Sequence, residues 1–287
     1  MIVNTNVNSL NAQEASINTQ KRIAGSLEKL STGLRINKAS DDAAGMAIAD
    51  KLRTQASSLK QSISNGNSAV ALVQIADKAM GEQSNILDII KQKLLQGATA
   101  TTSAKGREAV AKDIDKLMDQ LNNIAKQTNY NGIQLLQAGT SENGSAAISN
   151  TFVMGETKDN TIKTAEGVRA NVDGLTMTSI KDNVKPGEAG DFTYAESQDG
   201  MVVIDNAIDT LNAWRSDFGS TQNQLESSIR NLSTSMTNIK AAESTVRDVD
   251  YAAESANFNK QNIIAQAGTY AISQANSIQQ NVLRLLQ

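Results

Sequence analysis

The segment VAKDIDKLMDQLNNI, residues 110–124, places an apolar side chain at every third or fourth position. The apolar positions are Val110, Ile114, Leu117, Leu121 and Ile124. Alternating steps of four and three residues align these side chains as one stripe along an α-helix. Because such a stripe stays in water unless another helix covers it, the segment predicts a helix that packs against a second helix of the chain.

The preceding segment carries a related signal over a longer span. Val73, Met80, Leu87 and Leu94 recur at seven-residue intervals, which is the period of a helix-packing seam. The stretch 97–106 is rich in Thr, Ala, Ser and Gly and interrupts the pattern, so it allows the chain to reverse. We therefore predict an antiparallel helical hairpin. The residues predicted to line it, here called the rod seam, are Val73, Met80, Leu87, Leu94, Val110, Ile114, Leu117 and Leu121.

Apolar residues at similar spacing run along both ends of the chain. Two such stripes predict terminal helices that pair into a coiled coil or are covered by other copies of the chain. The predicted residues are Val3, Val7, Leu10, Ile17, Leu27 and Leu34 near the N-terminus and Ile264, Ile278, Val282 and Leu285 near the C-terminus.

From about residue 139 to 200 the helical periodicity is lost, and β-prone runs at 148–154, 175–180 and 192–194 predict a small β region. Just before it, Asn131 and Gly132 form a dipeptide typical of tight hairpin turns. Helical periodicity returns from about Met201, with a weak point near 248–251. The predicted fold is mainly α: an elongated antiparallel helical rod or coiled coil with a small β-hairpin region and with both terminal helices paired at one pole.

The composition argues against catalysis. The 287 residues include no Cys and no His, which removes thiol nucleophiles and the commonest metal ligand and general base. The paired acids Asp41–Asp42 and Asp248 with Asp250 stand at predicted helix boundaries, where Asp commonly caps a helix. We therefore predict a protein that is not an enzyme and needs no cofactor or metal.

The charge and hydropathy of the sequence argue against two classes of partner, nucleic acids and membranes. The net charge is -3 with acidic and basic residues interspersed, so no basic stripe predicts nucleic-acid binding. No run of about 18 apolar residues predicts membrane insertion, and no cleavable secretory leader is recognisable.

Several motifs resemble those of bacterial flagellins, in that family's order. They cover about the first 140 and the last 90 residues. The matching segments are LSTGLRINKASDDAAGMAI at 30–48, NYNG at 129–132 where the family has NFNG, GSTQNQLE at 219–226 where the family has GAxQNRLE, and SQAN at 273–276 with QNVLRLL at 280–286.

The resemblance implies a non-catalytic subunit that polymerises into the flagellar filament for motility. It also implies an inner module of residues 1–42 and 247–287 and a rod module of residues 43–246. The protein would be secreted through the flagellar export apparatus and would lie outside the cell. Its partners would be other copies of itself, an export chaperone at the C-terminal helices, and the hook-junction and cap proteins.

Alternatives remain open from the sequence alone. A hook-filament junction protein shares related terminal helices, and heptad periodicity by itself also fits an intracellular coiled-coil scaffold. A flagellin with a protease insert is a third alternative, but a zinc protease would need histidine ligands, and this chain contains no histidine.

Two further expectations follow from the resemblance. The family is often modified with acidic sugars on outer Ser and Thr residues, and the candidates here are Ser141, Ser145, Thr164, Ser179 and Ser197, with ordinary loop hydroxyls as the alternative. The family is also recognised by the animal Toll-like receptor 5 through an RVREL-like segment on the second helix. Ile89, Gln92 and Lys93 depart from that segment, much as in epsilonproteobacterial-type flagellins, which implies weak recognition.

Overall fold

The computed structural model describes residues 6–137, 149–164, 168–184 and 192–285. Within these ranges the chain forms six helices and two short antiparallel hairpins. The helices are α1 (Val7–Thr32), α2 (Ala43–Gly97), α3 (Ala104–Gln127), α4 (Thr178–Val184), α5 (Tyr194–Arg247) and α6 (Tyr251–Leu285). The strands are β1 (Asn129–Tyr130), β2 (Ile133–Gln134), β3 (Thr151–Val153) and β4 (Thr161–Lys163). The predicted mainly α class is confirmed.

Side-chain caps fix where the helices begin. Asn6 Oδ1 accepts a hydrogen bond from the Ser9 amide at the start of α1 (3.1 Å), and Asp42 Oδ1 accepts from the Gly45 amide at the start of α2 (2.9 Å). Asp250 Oδ1 does the same for the first amides of α6. These bonds satisfy amides that have no partner within the helix. The interpretation of Asp42 and Asp250 as caps is confirmed.

The chain divides into two compact units, a middle unit of residues 58–235 and a terminal unit of residues 1–57 and 236–287. In the middle unit α3 runs antiparallel to α2, because Gln83 contacts Leu121 while Lys93, further along α2, contacts the earlier residue Asp113. The α5 helix also runs antiparallel to α2, as the Asp77–Arg215 and Lys91–Asp205 pairs show. The predicted hairpin of α2 and α3 is confirmed.

The rod seam lies in the core of the middle unit. Its α2 members are fully buried, as are Ile114 and Leu121 of α3, and Val110 is 5% exposed. Leu117 was predicted to belong to the seam, but it is only partly buried, and Met118 takes its place at 0% exposure. A step of four residues from Ile114 returns to within about 40° of its direction, whereas a step of three misses by about 60°. Met118 therefore points into the core more directly than Leu117.

The small β region is shorter than predicted. Strands β3 and β4 pair antiparallel with Phe152 opposite Ile162, which confirms a strand within 148–154. The strands predicted at 175–180 and 192–194 are wrong, since α4 and α5 begin inside these runs. Their apolar residues Leu175, Met177, Ile180 and Phe192 are buried in the core. Short apolar runs fit a buried helix as well as a strand, so periodicity alone did not separate the two.

The α5 helix begins seven residues earlier than the predicted Met201, and a capping box explains the difference. Glu196 Oε2 accepts from the Thr193 amide (2.7 Å), and Thr193 Oγ1 accepts from the Glu196 amide (3.3 Å). A Thr followed three residues later by Glu is a sequence signal for a helix start. The sequence at 193–196 therefore carries the signal for the observed start of α5.

The turn at Asn131 and Gly132 joins β1 to β2, as predicted. Both residues have positive φ, 52° and 81°, as a two-residue type I′ turn requires. The hairpin leads directly into Leu135 and Leu136, which are buried in the core. The turn therefore sets the register in which the chain returns to the middle unit.

Replacing Gly132 with Val is expected to destabilise the middle unit by about 1–2 kcal/mol, because a branched side chain disfavours positive φ. No atom lies within 4 Å of the position that a Cβ would occupy, so the cost is backbone strain and not a clash. The measurement is the midpoint of urea unfolding. Gly132→Asn is the matched control and should stay close to the original protein, since Asn tolerates this conformation; equal midpoints for the two variants would contradict the turn assignment.

Candidate functional site: the paired terminal helices

The two terminal helices pack against each other and run antiparallel. At one end the Asn6 side-chain amide donates to the Ala275 carbonyl (3.1 Å). At the other end Leu34 and Asp248 form an antiparallel β-bridge. The predicted pairing of the N- and C-terminal helices is confirmed.

The contact face of this pair, here called the terminal seam, consists mostly of small and polar residues. Its members are buried or partly buried and repeat in steps of three and four, as in a coiled coil. On α1 they are Ser9, Ala12, Ser16, Thr19, Ile23, Ser26 and Leu30. On α6 they are Phe258, Gln261, Ala265, Gly268, Ile272 and Ala275.

Most of the large apolar residues of both helices lie outside the seam, although Ile23, Leu30, Phe258 and Ile272 belong to it. On α1, Val7, Leu10 and Ile17 are 48–55% exposed and stand two positions before seam residues, which places them about 200° around the helix. Leu27, which directly follows the seam residue Ser26, is 56% exposed. On α6 they are 41–73% exposed. This exposed set, here called the terminal stripe, comprises Val7, Leu10, Ile17 and Leu27 of α1 and Ile263, Ile264, Tyr270 and Ile278 of α6.

The exposed stripe residues therefore do not pack against the partner helix of the same chain, and their covering by other copies of the chain, the second possibility that the sequence left open, stays a prediction. A heptad pattern identifies a face that needs covering, but it does not say whether the covering helix belongs to the same chain. Leu34 is half-buried in the linker after α1. Val3 and the side chains of Val282 and Leu285 lie outside the described residues.

The linkers at the base of the pair form a short two-stranded ribbon. The Arg35 amide donates to the Arg247 carbonyl (2.6 Å), and the Val249 amide donates to the Gly33 carbonyl (3.0 Å). The Arg35 guanidinium donates to the Val246 carbonyl (2.6 Å). This ribbon joins the segment after α1 to the segment after α5, so it holds the ends of α1 and α6 together.

Ion pairs and a capped loop lie next to this ribbon. The Arg247 guanidinium lies 3.6 Å from the Asp50 carboxylate on α2. In the loop before α2, the Asp41 carboxylate accepts hydrogen bonds from the backbone amides of Lys38 and Asn37. These two donors stabilise the charged carboxylate and so hold the pKa of Asp41 below its ordinary value, with the larger effect from Lys38. Lys38 pairs with Glu28 at the end of α1 (2.7 Å), which raises the pKa of its ammonium.

The segment predicted to matter for receptor recognition lies on the surface of α2. Ile89 is 42% exposed, Gln92 is exposed, and the neighbouring Ile90 is fully buried in the core. Lys93 is already engaged, because its ammonium lies 2.8 Å from the Asp113 carboxylate. A binding partner would therefore have to compete with Asp113 for this cation.

Two of the five candidate sugar-bearing residues are not available on the surface. Thr164 is 3% exposed and accepts from the Asn150 amide, and Ser197 is 0% exposed and donates to the Thr193 carbonyl. They were expected in exposed loops, but Thr164 follows β4 and Ser197 lies in the first turn of α5. Ser179 is exposed, while Ser141 and Ser145 lie outside the described residues.

Clusters that could bind a metal ion are absent from the part of the chain that the structure describes. Its Asp and Glu residues form no group of three or more that could hold a metal ion. An open groove of about 720 Å³ is lined by Ala71, Ile75 and Gln222. Asp77 also lines this groove, and its carboxylate already forms an ion pair with Arg215. Among the described helices, none is long and apolar enough to cross a membrane.

Comparison with protein families gives two matches. Residues 3–141 match the bacterial flagellin N-terminal helical region, and residues 201–286 match the bacterial flagellin C-terminal helical region. The chain is 34% identical to the flagellin of Bacillus subtilis and 32% identical to the flagellar filament 33 kDa core protein of Treponema phagedenis, in both cases over the whole of both chains.

A solved structure shares the fold. A putative flagellar hook-associated protein from Vibrio parahaemolyticus matches with a TM-score of 0.57 and 16% identity, covering 72% of this chain and 100% of that one. Bacillus cereus flagellin matches with a TM-score of 0.47 and 25% identity, covering 63% and 94%.

The Asp41 carboxylate is expected to make the stability of the terminal unit depend on pH. Because its pKa is lowered in the folded chain, the carboxylate stabilises the fold above its unfolded pKa of about 3.9, and this stabilisation is lost as the pH falls through the folded pKa. Asp41→Asn should therefore lower the free energy of unfolding at pH 7, and the difference from the original protein should shrink below about pH 4. Asp88→Asn, at an exposed position of α2, is the control; a difference for Asp41→Asn that does not change with pH would contradict this role.

Proposed function

The chain belongs to the bacterial flagellin family and is a structural subunit of the flagellar filament, and we propose that it joins the filament by burying the terminal stripe against neighbouring copies. The observation that carries this proposal is the exposure of eight large apolar side chains on the paired terminal helices. A folded protein keeps so many apolar residues in rows on its surface when another surface covers them.

The size of the stripe favours a polymer over a dimer. Burying the remaining half of such a side chain contributes roughly 1 kcal/mol. When two copies cover four stripe residues of each other, the eight side chains contribute about 8 kcal/mol, which lies within the range of about 4–15 kcal/mol estimated for the cost of association. One such contact therefore leaves little net affinity, and contacts with several neighbours at once add to it, as for a subunit in a helical assembly.

The alternative functions lack comparable support. The likeness to a hook-associated protein rests on the fold alone at 16% identity, whereas the relatives that match over the whole chain are named as flagellins or filament core proteins. An intracellular scaffold is supported only by the heptad periodicity.

We further propose the route and partners of assembly. The chain reaches the outside of the cell through the flagellar export apparatus, and an export chaperone covers the C-terminal helix before assembly. The exposed Ile263, Tyr270 and Ile278 of α6 are the surface that such a chaperone would cover. Hook-junction and cap proteins contact the subunits at the filament ends, and the chain carries out no catalysis.

The division into modules 1–42, 43–246 and 247–287 remains a proposal. The helix boundaries at Ala43 and Arg247 support it. The compact units instead divide near residues 57 and 235, inside the long helices α2 and α5. Modification of Ser179, Ser141 or Ser145 by acidic sugars also remains a proposal.

Leu10→Gln combined with Ile17→Gln is expected to reduce seeded filament growth more than tenfold, because both side chains belong to the terminal stripe and an amide resists burial. The fold of the free chain should be retained, since both residues are about half exposed. Light scattering after addition of filament seeds measures growth, and circular dichroism measures the fold. Glu14→Gln, exposed on the same helix, is the matched control; growth of the double variant at the original rate would refute the proposal.

Weak activation of Toll-like receptor 5 is expected, because Ile89, Gln92 and Lys93 replace the residues that the family's receptor-binding segment carries. Restoring them with Ile89→Arg, Gln92→Glu and Lys93→Leu should raise the response by about 30-fold or more, as loss of two hot-spot contacts would predict. The readout is a cell reporter assay with monomeric protein. A strong response to the original chain, or an unchanged response to the triple variant, would show that this segment does not decide recognition.

A further inference from the structure

The dipeptide Asn-Gly occurs three times in the chain, and the structure places two of its copies in opposite settings. Asn131–Gly132 forms the turn between β1 and β2, and both residues are exposed. Asn65–Gly66 lies inside α2, and Asn143–Gly144 lies outside the described residues. A reaction that depends on the freedom of the backbone is therefore expected to distinguish the turn from the helix.

An Asn side chain that precedes Gly can lose its amide nitrogen without an enzyme. The backbone nitrogen of the Gly residue gives its proton to hydroxide and attacks Cγ of the Asn residue, ammonia leaves, and a cyclic imide closes. Gly has no Cβ to crowd this attack. Water then opens the imide at either carbonyl, giving Asp or isoaspartate, in which the main chain runs through Cβ and Cγ. In sum, the side-chain amide and one water give a carboxyl group and ammonia.

The turn at Asn131 and Gly132 admits this reaction after a small opening. In a closed type I′ turn the first central residue has ψ near about +30°, which places the next backbone nitrogen on the far side from Cγ. Opening breaks few contacts, because β1 and β2 are 2 residues each. Among the described residues, none accepts a hydrogen bond from the Gly132 amide, so the attacking nitrogen is free once the turn opens.

The helix restrains the same dipeptide at Asn65. The Gly66 amide belongs to the hydrogen-bond ladder of α2, and Asn65 Oδ1 accepts from Gln61 Nε2 (2.9 Å). Gly66 is also tightly packed, since a Cβ at this position would lie 2.6 Å from Met154 Cε. A reaction at Asn65 therefore requires local unfolding of a packed helix, which costs more free energy than the opening of an exposed turn.

The two products affect the β1–β2 hairpin differently. Asp tolerates positive φ as Asn does, so this product keeps the turn. Isoaspartate adds an atom to the main chain, so a turn with φ of 52° and 81° at its central residues cannot be kept. Leu135 and Leu136, which follow the hairpin, are 1% and 0% exposed, and the Leu135 amide donates to the Thr128 carbonyl (3.2 Å). A lengthened turn therefore displaces residues that belong to the core.

We propose that Asn131 is a site of spontaneous deamidation, and that its isoaspartate product loosens the β1–β2 hairpin and destabilises the middle unit as the protein ages. The co-reactant is water, with hydroxide as the base. This proposal goes beyond the assembly function and does not depend on it.

The test is incubation of the folded full-length chain in mildly alkaline buffer, followed by proteolysis and mass spectrometry of the peptides that carry Asn131 and Asn65. Conversion at Asn131 should be at least about tenfold faster than at Asn65. It should also accelerate with pH, because the attacking nitrogen must lose its proton. In denaturant both sites are open, so the two rates should approach each other. Equal rates in the folded chain would overturn the proposal, as would an unreactive Asn131 in the folded chain when the denatured chain converts.

The effect on stability is measured by urea unfolding of aged protein. The midpoint of the original chain should fall as isoaspartate accumulates at position 131. Asn131→Gly removes the reacting amide and tolerates positive φ, so its midpoint should not fall with age. Asn131→Asp carries the turn-compatible product from the start, and when fresh it should match the fresh original chain. An equal fall for the aged original chain and aged Asn131→Gly would assign the damage to another position and overturn the effect on the hairpin.

Discussion

The contact between α1 and α6 reverses the usual arrangement of an amphipathic helix pair, and the other features of the terminal unit follow from this. Small residues such as Ala12 and Gly268 face the partner helix, and large residues such as Leu27 and Tyr270 face outward. Small residues allow two helices to approach closely, but they contribute little apolar area. Only four large apolar residues, Ile23, Leu30, Phe258 and Ile272, lie in the seam, whereas the eight residues of the terminal stripe stay exposed to other molecules.

The middle unit differs because it contains an ordinary apolar core. Met80, Leu87 and Leu94 of α2 are fully buried, and the buried polar groups near them are mostly satisfied. The Gln83 amide donates to the Leu121 and Ala170 carbonyls, and Asn122 Oδ1 accepts from the Val172 amide. These bonds fasten the segment before α4 to α2 and α3. The middle unit therefore has an apolar core of its own, whereas the terminal helices leave eight large apolar side chains exposed.

The sequence predicted the elements better than it predicted their partners. Heptad spacing located α2, α3 and the reversal between them, and the acids Asp42 and Asp250 marked helix starts. Spacing did not reveal that the terminal stripe faces away from the partner helix, because a pattern on one helix carries no information about which helix covers it. The error at Leu117 arose because a straight helix turns every 3.6 residues and drifts away from a strict heptad. The ribbon that joins Gly33 to Val249 depends on backbone atoms and left no side-chain signal.

Hydroxyl-radical footprinting of the free chain and of assembled filaments tests the central claim most directly. The stripe residues Ile17, Leu27 and Tyr270 are exposed in the single chain, so their side chains should be oxidised readily before assembly and should be protected in the filament. Val202 of α5, which is 62% exposed, serves as a reference within the middle unit. Equal oxidation of the stripe residues in free chain and filament would contradict the account, as would protection of these residues before any filament has formed.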